Sequence, residues 1–484
     1  MVECTKHKAV NVNRKLNPMK KINRREFLSD TFSTAASFAV AGAFANLGQR
    51  LNLSPLNHRR LGSAELRPTE DLTTGLKLLK LPEGFSYRSF GWAGERMSDG
   101  HVTPVMHDGM GIIKSETTDD GEILTLCRNH EVNSNRNPIK LDGQSYDESA
   151  GAGCSNMLFN STTGEWVKAW GTLSGTLRNC AGGVTPWGTW LTCEEIVEGP
   201  DYKKDGRNFA KSHGWVFEVG ESIQKEPRPI RGMGRFVHEA LAFDRKTGIV
   251  YQTEDKTSSG FYRFLPNVSE NLFAGGELQI AEAIGQKNLR GGFEDGTEFD
   301  IRWHSIREPE LANTRGTTDE AGVYKQGIAA GGSTFARLEG CWADEDYIYF
   351  DATTGGAKQA GQIWRYDPAN LKLKLLFESP GKSVMNMPDN LCVCPEGGLV
   401  ICEDNDYGAN QQPHRMFALT QDGKLNSIAE NNVVLEVSAT RTIDYRDKEW
   451  AGTCFSPCGE WLFCNIQTPG ITLAITGPWS DVLN

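Results

Sequence analysis

Short apolar runs rich in Val, Ile, Tyr, Phe and Trp recur along the chain, and turns containing Gly or Pro separate them. Several of these runs end in acidic residues, and the clearest examples are Trp190–Glu195, Ile249–Asp255, Tyr347–Asp351 and Leu399–Asp404. This composition predicts β-strands, because Gly and Pro interrupt every run before a helical period is established. The chain is therefore predicted to be all-β, with carboxylates at corresponding strand ends.

A longer unit of apolar strand, turn, second strand and Gly-led third strand repeats along the sequence. Its clear copies begin at Glu239, Glu339, Asp389 and Trp450, and weaker copies lie at 123–131 and 157–170. Repeated meanders are typical of propeller blades, and about six blades fit the chain. We predict one six-bladed β-propeller domain over residues 46–484, with long inter-blade insertions, notably at about 266–330.

Cys180 lies between Asn179 and an Ala-Gly-Gly turn, outside any apolar run, and precedes the strand that ends at Glu194 and Glu195. In a propeller the innermost strand of each blade lines the axis, so carboxylates at equivalent strand ends are brought together. Carboxylate oxygens favour calcium or magnesium, and a thiolate adds a preference for iron or zinc. The pattern therefore predicts a metal site on the axis.

The first 45 residues have the organisation of an export signal. Eight basic residues precede an apolar, small-residue segment that ends at Ala45, and Arg24 and Arg25 lie in a stretch that resembles the twin-arginine motif. We predict an exported protein, periplasmic or extracellular, that uses the twin-arginine export machinery, which carries folded proteins. Without this segment the net charge falls from -11 to -16. An acidic body disfavours nucleic acid as a partner and repels phosphorylated substrates unless bound cations reverse the local sign.

The dispersed motifs resemble the PhoX-type alkaline phosphatases, which are exported six-bladed propellers. The segments that carry the resemblance are 127–131, 179–195, 237–239, 253–255, 337–340, 388–390 and 403–404. The resemblance implies hydrolysis of small-molecule phosphomonoesters at a cluster of iron (Fe3+) and calcium ions in the propeller axis. It also implies that a cysteine thiolate binds iron.

The resemblance implies a role for each residue that matches a family motif. Cys180 would bind iron with Glu194 or Glu195 beside it, and the sequence does not separate these two glutamates. Glu239 and Glu339 would be further carboxylate ligands of the cluster. The implied oxygen ligands of calcium are Asn129, Glu131, Asp389, Glu403 and Asp404. Arg337, two residues before Glu339 and so on the same side of an extended strand, would bind the phosphoryl oxygens in catalysis.

Two other kinds of function stay open at this stage. The first is a calcium-dependent propeller hydrolase of another ester class, a lactonase or a phosphodiesterase, which would need no thiolate. The second is an exported binding propeller whose ions are purely structural. Cys180 distinguishes the phosphatase from the first alternative, and the second would need neither Arg337 at the site nor an open coordination position. The protein is expected to act as a monomer.

Overall fold

The structure is a computed structural model, and it describes residues 62–483 except 64, 120, 135–138, 142–143, 202–206, 406–412 and 439. The described residues belong to one compact unit. The predicted export signal at residues 1–45 lies outside the described residues. None of the helices in the described ranges is long and apolar enough to cross a membrane.

Strands dominate the described part of the chain. Four short strands come first: β1 (Gly62–Ser63), β2 (Arg67–Thr69), β3 (Leu79–Leu81) and β4 (Ser86–Phe90). Seven strands follow: β5 (His107–Thr118), β6 (Gly121–His130), β7 (Ala152–Asn160), β8 (Glu165–Thr176), β9 (Asn179–Val184), β10 (Trp190–Glu194) and β11 (Val216–Val219).

The middle of the chain contains β12 (His238–Phe243), β13 (Val250–Glu254), β14 (Tyr262–Pro266), β15 (Gly276–Ala283), β16 (Glu298–Ser305), β17 (Leu338–Ala343), β18 (Ile348–Ala352), β19 (Gln362–Asp367) and β20 (Lys372–Glu378). The last strands are β21 (Pro388–Val393), β22 (Leu399–Glu403), β23 (Arg415–Leu419), β24 (Leu425–Asn431), β25 (Val434–Ser438), β26 (Arg441–Asp444), β27 (Trp450–Phe455), β28 (Trp461–Ile466) and β29 (Ile471–Thr476). The α-helices are α1 (Gly322–Ala330) and α2 (Ser480–Leu483), and short 3-10 turns occupy Arg231–Met233 and Leu272–Ala274.

The strands form antiparallel meanders. Strands β5 to β8 form a four-stranded sheet, β9 to β11 a three-stranded sheet, and β21 to β24 a sheet extended by β1 to β3. Strands β27 to β29 are completed by β4, so an early strand closes the last meander. The small hairpin of β25 and β26 stands apart from these sheets.

The first strands of the meanders contact one another in a closed succession: β5 with β9, β9 with β12, β12 with β17, β17 with β21, β21 with β27, and β27 with β5. The chain is therefore all-β with a propeller-like arrangement, as the sequence predicts. Because each sheet packs between two neighbours, a strand such as β22 is buried on both faces and reads as an almost continuous apolar run.

Residues 266–330 differ from the predicted insertion. They contain β15, which completes the β12 to β14 meander, and β16, which pairs with both β15 and β20 and joins two meanders into one nine-stranded sheet. Both strands expose part of their length to solvent, so their side chains alternate irregularly between buried and exposed. This explains why the apolar pattern did not reveal them.

Candidate metal centre

Each first strand of the closed succession contains a β-bulge, in which two residues lie opposite one residue of the second strand. The first residues of these bulges are Asp108, Cys180, Glu239, Glu339, Asp389 and Gly452. A bulge bends its strand and re-aims a side chain, and bulges are frequent beside active sites. Five of the six bulges thus present a carboxylate or a thiol.

Small residues follow several of these ligands because the bulges of neighbouring strands pack tightly. A Cβ atom at Gly109 would lie 2.5 Å from the Cα atom of Ala181, and one at Gly340 would lie 2.5 Å from the carbonyl oxygen of Asp389. The recurrent pair of a ligand-type residue and a small residue is therefore a packing requirement.

A second set of acids lies directly after the second strands of four meanders: Glu131, Glu195, Asp255 and Asp404. Their backbone N–H groups donate to the carbonyl oxygens of the residues that precede the first strands, as in the 2.9 Å bond from Glu195 to Arg178. Glu449, which precedes β27, adds a further carboxylate. We call these five acids, together with the five bulge residues from Asp108 to Asp389, the axial cluster.

The ligand atoms of the axial cluster lie close together. Seven of its ten residues form three overlapping groups, each with ligand atoms within 4.8 Å of one another: Asp108, Glu131 and Cys180; Cys180, Glu195 and Glu239; Glu239, Glu339 and Asp389. The Cys180 thiol donates to Glu239 Oε1 at 3.0 Å. Cys180 and Glu239 each belong to two groups, so they lie at the junctions of the cluster.

Burial and mutual repulsion disfavour the anionic forms of these groups. Burial, followed by the charges of neighbouring acids, raises the pKa of Asp108, Glu239 and Glu339 well above the usual range and that of Asp389 to about 7. The pKa of the Cys180 thiol is also raised by burial, with Asp108 and Glu239 adding to the effect. Bound cations would relieve both penalties.

Two arginines meet the axial cluster. Arg337 donates from Nε and Nη2 to Asp255 at 2.8 and 3.1 Å, and from Nη2 to Glu339 at 2.8 Å. Arg178 Nε lies 2.8 Å from Glu131 and 3.0 Å from Glu195. Burial works against both guanidinium charges, but the surrounding carboxylates outweigh it and raise the pKa of both arginines. Nine carboxylates against two guanidinium groups leave a formal excess of seven negative charges.

The chemistry of the axial cluster suits metal ions. Both carboxylate oxygens of Asp108 and Oε2 of Glu239 are buried and have no hydrogen-bond partner among the described residues. Buried carboxylate oxygens normally have donors or a cation, because an unpaired buried charge is strongly unfavourable. Hard oxygen ligands beside one thiol match a mixed site for calcium-like and iron-like cations.

The structure separates Glu194 from Glu195. Glu195 joins the axial cluster, whereas the Glu194 side chain accepts hydrogen bonds from Leu177 N, Gly214 N and Trp215 N at 2.8 to 3.1 Å and lies 2.6 Å from His213 Nδ1. Glu194 therefore anchors the loop that follows its own strand.

Glu403 has the same structural role as Glu194. Its oxygens accept from Asn386 N, from Arg415 N and from the Arg415 guanidinium. The structure thus places Glu194 and Glu403 outside the axial cluster, while Asp404 lies beside Asp389. His238, adjacent to Glu239, is buried against Phe236 and bonds the carbonyl oxygen of Gly234, so it is a packing residue.

Substitution of the two neighbouring glutamates should separate their roles. Glu195→Gln is expected to lower the metal content and reduce turnover at least about a hundredfold, since it removes a charged ligand. Glu194→Gln should instead reduce the free energy of unfolding by about 2 to 4 kcal/mol, because it weakens a buried, hydrogen-bonded charge. Elemental analysis and urea titration of both variants check this. Equal loss of metal in the two variants would contradict the assignment.

Asn129 also lies outside the ligand set. Its side-chain Nδ2 donates to the carbonyl oxygens of Cys180 and Ala181 at 2.8 Å, and its Oδ1 accepts from Trp190 Nε1 at 2.9 Å and from Thr192 at 2.8 Å. Both donors and the acceptor are thus occupied by protein groups. The physical role of Asn129 is to hold the bulge that presents Cys180.

The near-isosteric change Asn129→Asp tests this role. A calcium ligand would tolerate aspartate, whereas a bulge support would lose both donors and place a carboxylate against two carbonyl oxygens. We expect the free energy of unfolding to fall by about 2 to 5 kcal/mol, measured by urea titration. Unchanged stability with full metal content would show that Asn129 is a ligand.

His213 links Glu194 to Asp147, with Nδ1 2.6 Å from Glu194 and Nε2 3.5 Å from Asp147. Burial opposes its charge, but Glu194 and Asp147 outweigh burial and raise the pKa of His213 to about 9. The protonated imidazole therefore stabilises the fold fully below about pH 6.5, the value for an unfolded histidine, and this stabilisation is lost as the pH rises through 9.

We expect the unfolding free energy of the wild type to fall by about 3 kcal/mol between pH 6.5 and 9 because of this group. Over this range the folded protein binds one proton more than the unfolded protein, and that difference sets the slope against pH. His213→Gln should lack that part of the slope. Urea titrations at four pH values, with matched metal loading, measure it. Parallel pH profiles of the two proteins would contradict the assignment.

Sequence reasoning assigned no site role to four residues of the site: Asp108, Arg178, Asp255 and Glu449. Asp108 carries a recognisable signal, a strand-initial acid followed by glycine as in Glu339-Gly340. Asp255 follows Glu254 as Glu195 follows Glu194, and the second acid of each pair faces the cluster. Arg178 and Glu449 precede the first strands of their meanders, where Arg337 also lies.

Comparison with known proteins agrees with this geometry. The sequence profile of the family described as alkaline phosphatase PhoX matches residues 63–169 and 163–470. No curated protein sequence matches the chain. Among solved structures, PhoX of Pseudomonas fluorescens in complex with vanadate, a transition state analogue, is similar with a TM-score of 0.64 at 18% identity, over 86% of this chain and 98% of that chain.

A gluconolactonase of Xanthomonas campestris is also similar, with a TM-score of 0.42 at 11% identity, over 87% of this chain and 99% of that chain. The likeness to the Pseudomonas structure concerns the fold alone. The family match covers most of the chain, and the chain belongs to the PhoX alkaline phosphatase family and is a phosphoric monoester hydrolase.

Proposed function

We propose that this protein is an exported phosphatase that hydrolyses small phosphomonoesters at an iron and calcium cluster held by the axial cluster. The observation that carries the proposal is the convergence of nine carboxylates and one thiol from the bulges and adjoining strand ends of one closed ring of strands. A structural calcium site needs neither a thiol nor an arginine beside the acids. The combination favours phosphoryl chemistry over the lactonase and binding alternatives.

The thiol and its neighbours would hold iron. Cys180 would be the soft ligand, with Glu239 and Glu195 as carboxylate ligands in the same group. The remaining acids of the axial cluster would hold calcium through oxygen atoms alone, and Asp389, Asp404 and Glu131 are the predicted members of that set. When bound, these ions would supply Lewis acidity toward the phosphoryl group and an activated oxygen nucleophile.

The protein groups orient the substrate. Arg337 lies between Asp255 and Glu339, and its side chain is 27% exposed, so the guanidinium reaches solvent while two carboxylates fix its plane. Nε and Nη2 are used for these two carboxylates, so Nη1 is the nitrogen whose N–H groups can donate to phosphoryl oxygens, while the guanidinium charge faces the phosphate ester. Arg337 would thereby stabilise charge on the transferred group without moving a proton.

The architecture and location belong to the same proposal. The closed succession of six first strands, each with its bulge, supports a count of six blades in one propeller. The paired arginines, apolar segment and small residues of positions 1–45 support twin-arginine export to the periplasm or the exterior. Action as a monomer stays a prediction.

Turnover of a chromogenic phosphomonoester and of the matching diester, before and after chelation, tests the proposal. We expect hydrolysis of the monoester, loss of turnover with chelator, and recovery when iron and calcium are returned together. Recovery with calcium alone would favour the calcium-dependent alternative. Hydrolysis of the diester or of a lactone, with no monoester turnover in the loaded protein, would contradict the proposal.

A further inference from the structure

Arg178 and Arg337 occupy equivalent positions in two meanders. Each directly precedes a first strand, β9 or β17, and each has a left-handed backbone, with φ of 49° and 48°. The Arg178 N–H donates to the carbonyl oxygen of Val132, and the Arg337 N–H donates to that of Lys256, both at 2.9 Å. A non-glycine residue in this conformation is strained, and such strain is concentrated at functional sites.

The side chains repeat the same relation. Arg178 Nε lies 2.8 Å from Glu131, which follows the second strand of the preceding meander. Arg337 Nε lies 2.8 Å from Asp255, which has the same position in its own preceding meander. The two guanidinium groups are therefore held at their Nε ends by corresponding acids and point toward the same cluster.

The free donors of the two arginines differ. Arg337 uses Nη2 for Asp255 and Glu339, whereas neither Nη1 nor Nη2 of Arg178 hydrogen-bonds to any residue in the described ranges. The Arg178 side chain is 36% exposed. Its two terminal nitrogens thus carry four N–H groups that are open to a ligand. Glu131 and Glu195 hold the guanidinium group at its Nε atom.

The two arginines flank one pair of carboxyl groups. Arg178 contacts Glu195, Arg337 contacts Asp255, and the side chain of Glu195 lies beside that of Asp255. The order along the rim of the axial cluster is therefore arginine, two acids, arginine. This arrangement places one cationic fork at each end of the same acidic pair.

We propose that Arg178 is a second phosphoryl-binding residue, which acts together with Arg337 and selects dianionic phosphomonoesters over monoanionic diesters. This inference rests on the proposed function of the site. A phosphomonoester carries three terminal oxygens, and one fork engages at most two of them. The free Nη1 and Nη2 of Arg178 supply the further donors, and a second positive charge favours the dianion.

Equilibrium binding of inorganic phosphate to the metal-loaded protein tests this, by calorimetry at pH 8. Arg178→Ala is expected to weaken phosphate binding about 10- to 100-fold with metal content unchanged, as loss of charge-assisted hydrogen bonds implies. The ratio of monoester to diester kcat/KM should fall in the same variant. Arg302→Ala, which removes an arginine that is 61% exposed and lies 3.6 Å from Glu282, is the matched control and should leave phosphate binding unchanged.

Unchanged phosphate affinity in a fully loaded Arg178→Ala protein would overturn the inference. If that variant loses metal, Arg178→Lys decides, because lysine keeps the charge but lacks the fork. Retained metal with weakened phosphate binding supports the inference, and metal loss in both variants overturns it by showing that Arg178 only bridges Glu131 and Glu195. Wild-type protein that binds phosphate without turnover would contradict the proposed function and not this inference.

Discussion

Replacement of Cys180 with alanine is expected to remove iron from the protein and to lower kcat/KM for a phosphomonoester by at least about a thousandfold. Cys180 belongs to two of the three ligand groups, and its sulfur lies 3.0 Å from Glu239 Oε1. Loss of the thiol therefore removes the one soft ligand and breaks the junction between two groups. Calcium held by the oxygen ligands should remain.

Cys193→Ala is the matched control for this experiment. Cys193 is buried in the apolar cluster of the same meander, opposite the bulge that presents Cys180, and it packs with Leu191 and Val216. This variant should keep its iron and its activity while it loses about 1 to 2 kcal/mol of stability through a small cavity. Normal iron content in Cys180→Ala would refute the ligand assignment.

Arg337→Ala should reduce kcat/KM about 100- to 1000-fold without loss of metal, because a preorganised donor aimed at developing charge is removed from a half-buried site. Arg337→Lys should recover little, since lysine retains the charge but not the planar fork fixed by Asp255 and Glu339. Steady-state kinetics with paired elemental analysis measures both effects. A normal KM and kcat in the metal-loaded alanine variant would remove Arg337 from the phosphoryl site.

The parts of the fold that the sequence predicts best are the strands buried on both faces. Strand β22 is an almost continuous apolar run because its sheet packs between two others, and acids mark its end. Strand β16 was missed because it exposes most of its length and serves to link two meanders. Its place depends on long-range pairing, which leaves no local pattern.

The residues of the candidate site likewise divide into those that the sequence predicts and those that it does not. Residue type and position along the strand together identify Glu239, Glu339 and Asp389. An acid that recurs at the start of each repeat indicates that these acids converge on one site. Orientation does not follow from position, so Glu194 and Glu403 were grouped with their neighbours although they face backbone N–H groups of their own blades.

Two further residues show why the bulge matters. Asn129 has the chemistry of a ligand, yet its amide is used to hold the Cys180 bulge. Asp108 gains its place only through the register shift in β5, which no periodicity reveals. Register irregularities are tertiary features, and they decide which polar side chains of each strand reach the axis.

The most direct test of a thiolate-containing metal centre is elemental analysis of the purified full-length protein, combined with its visible absorption spectrum. We expect iron together with calcium in the wild type, and an absorption band of ferric thiolate that disappears in Cys180→Ala. A colourless protein that contains calcium alone, or a band that persists without Cys180, would contradict the presence of such a centre.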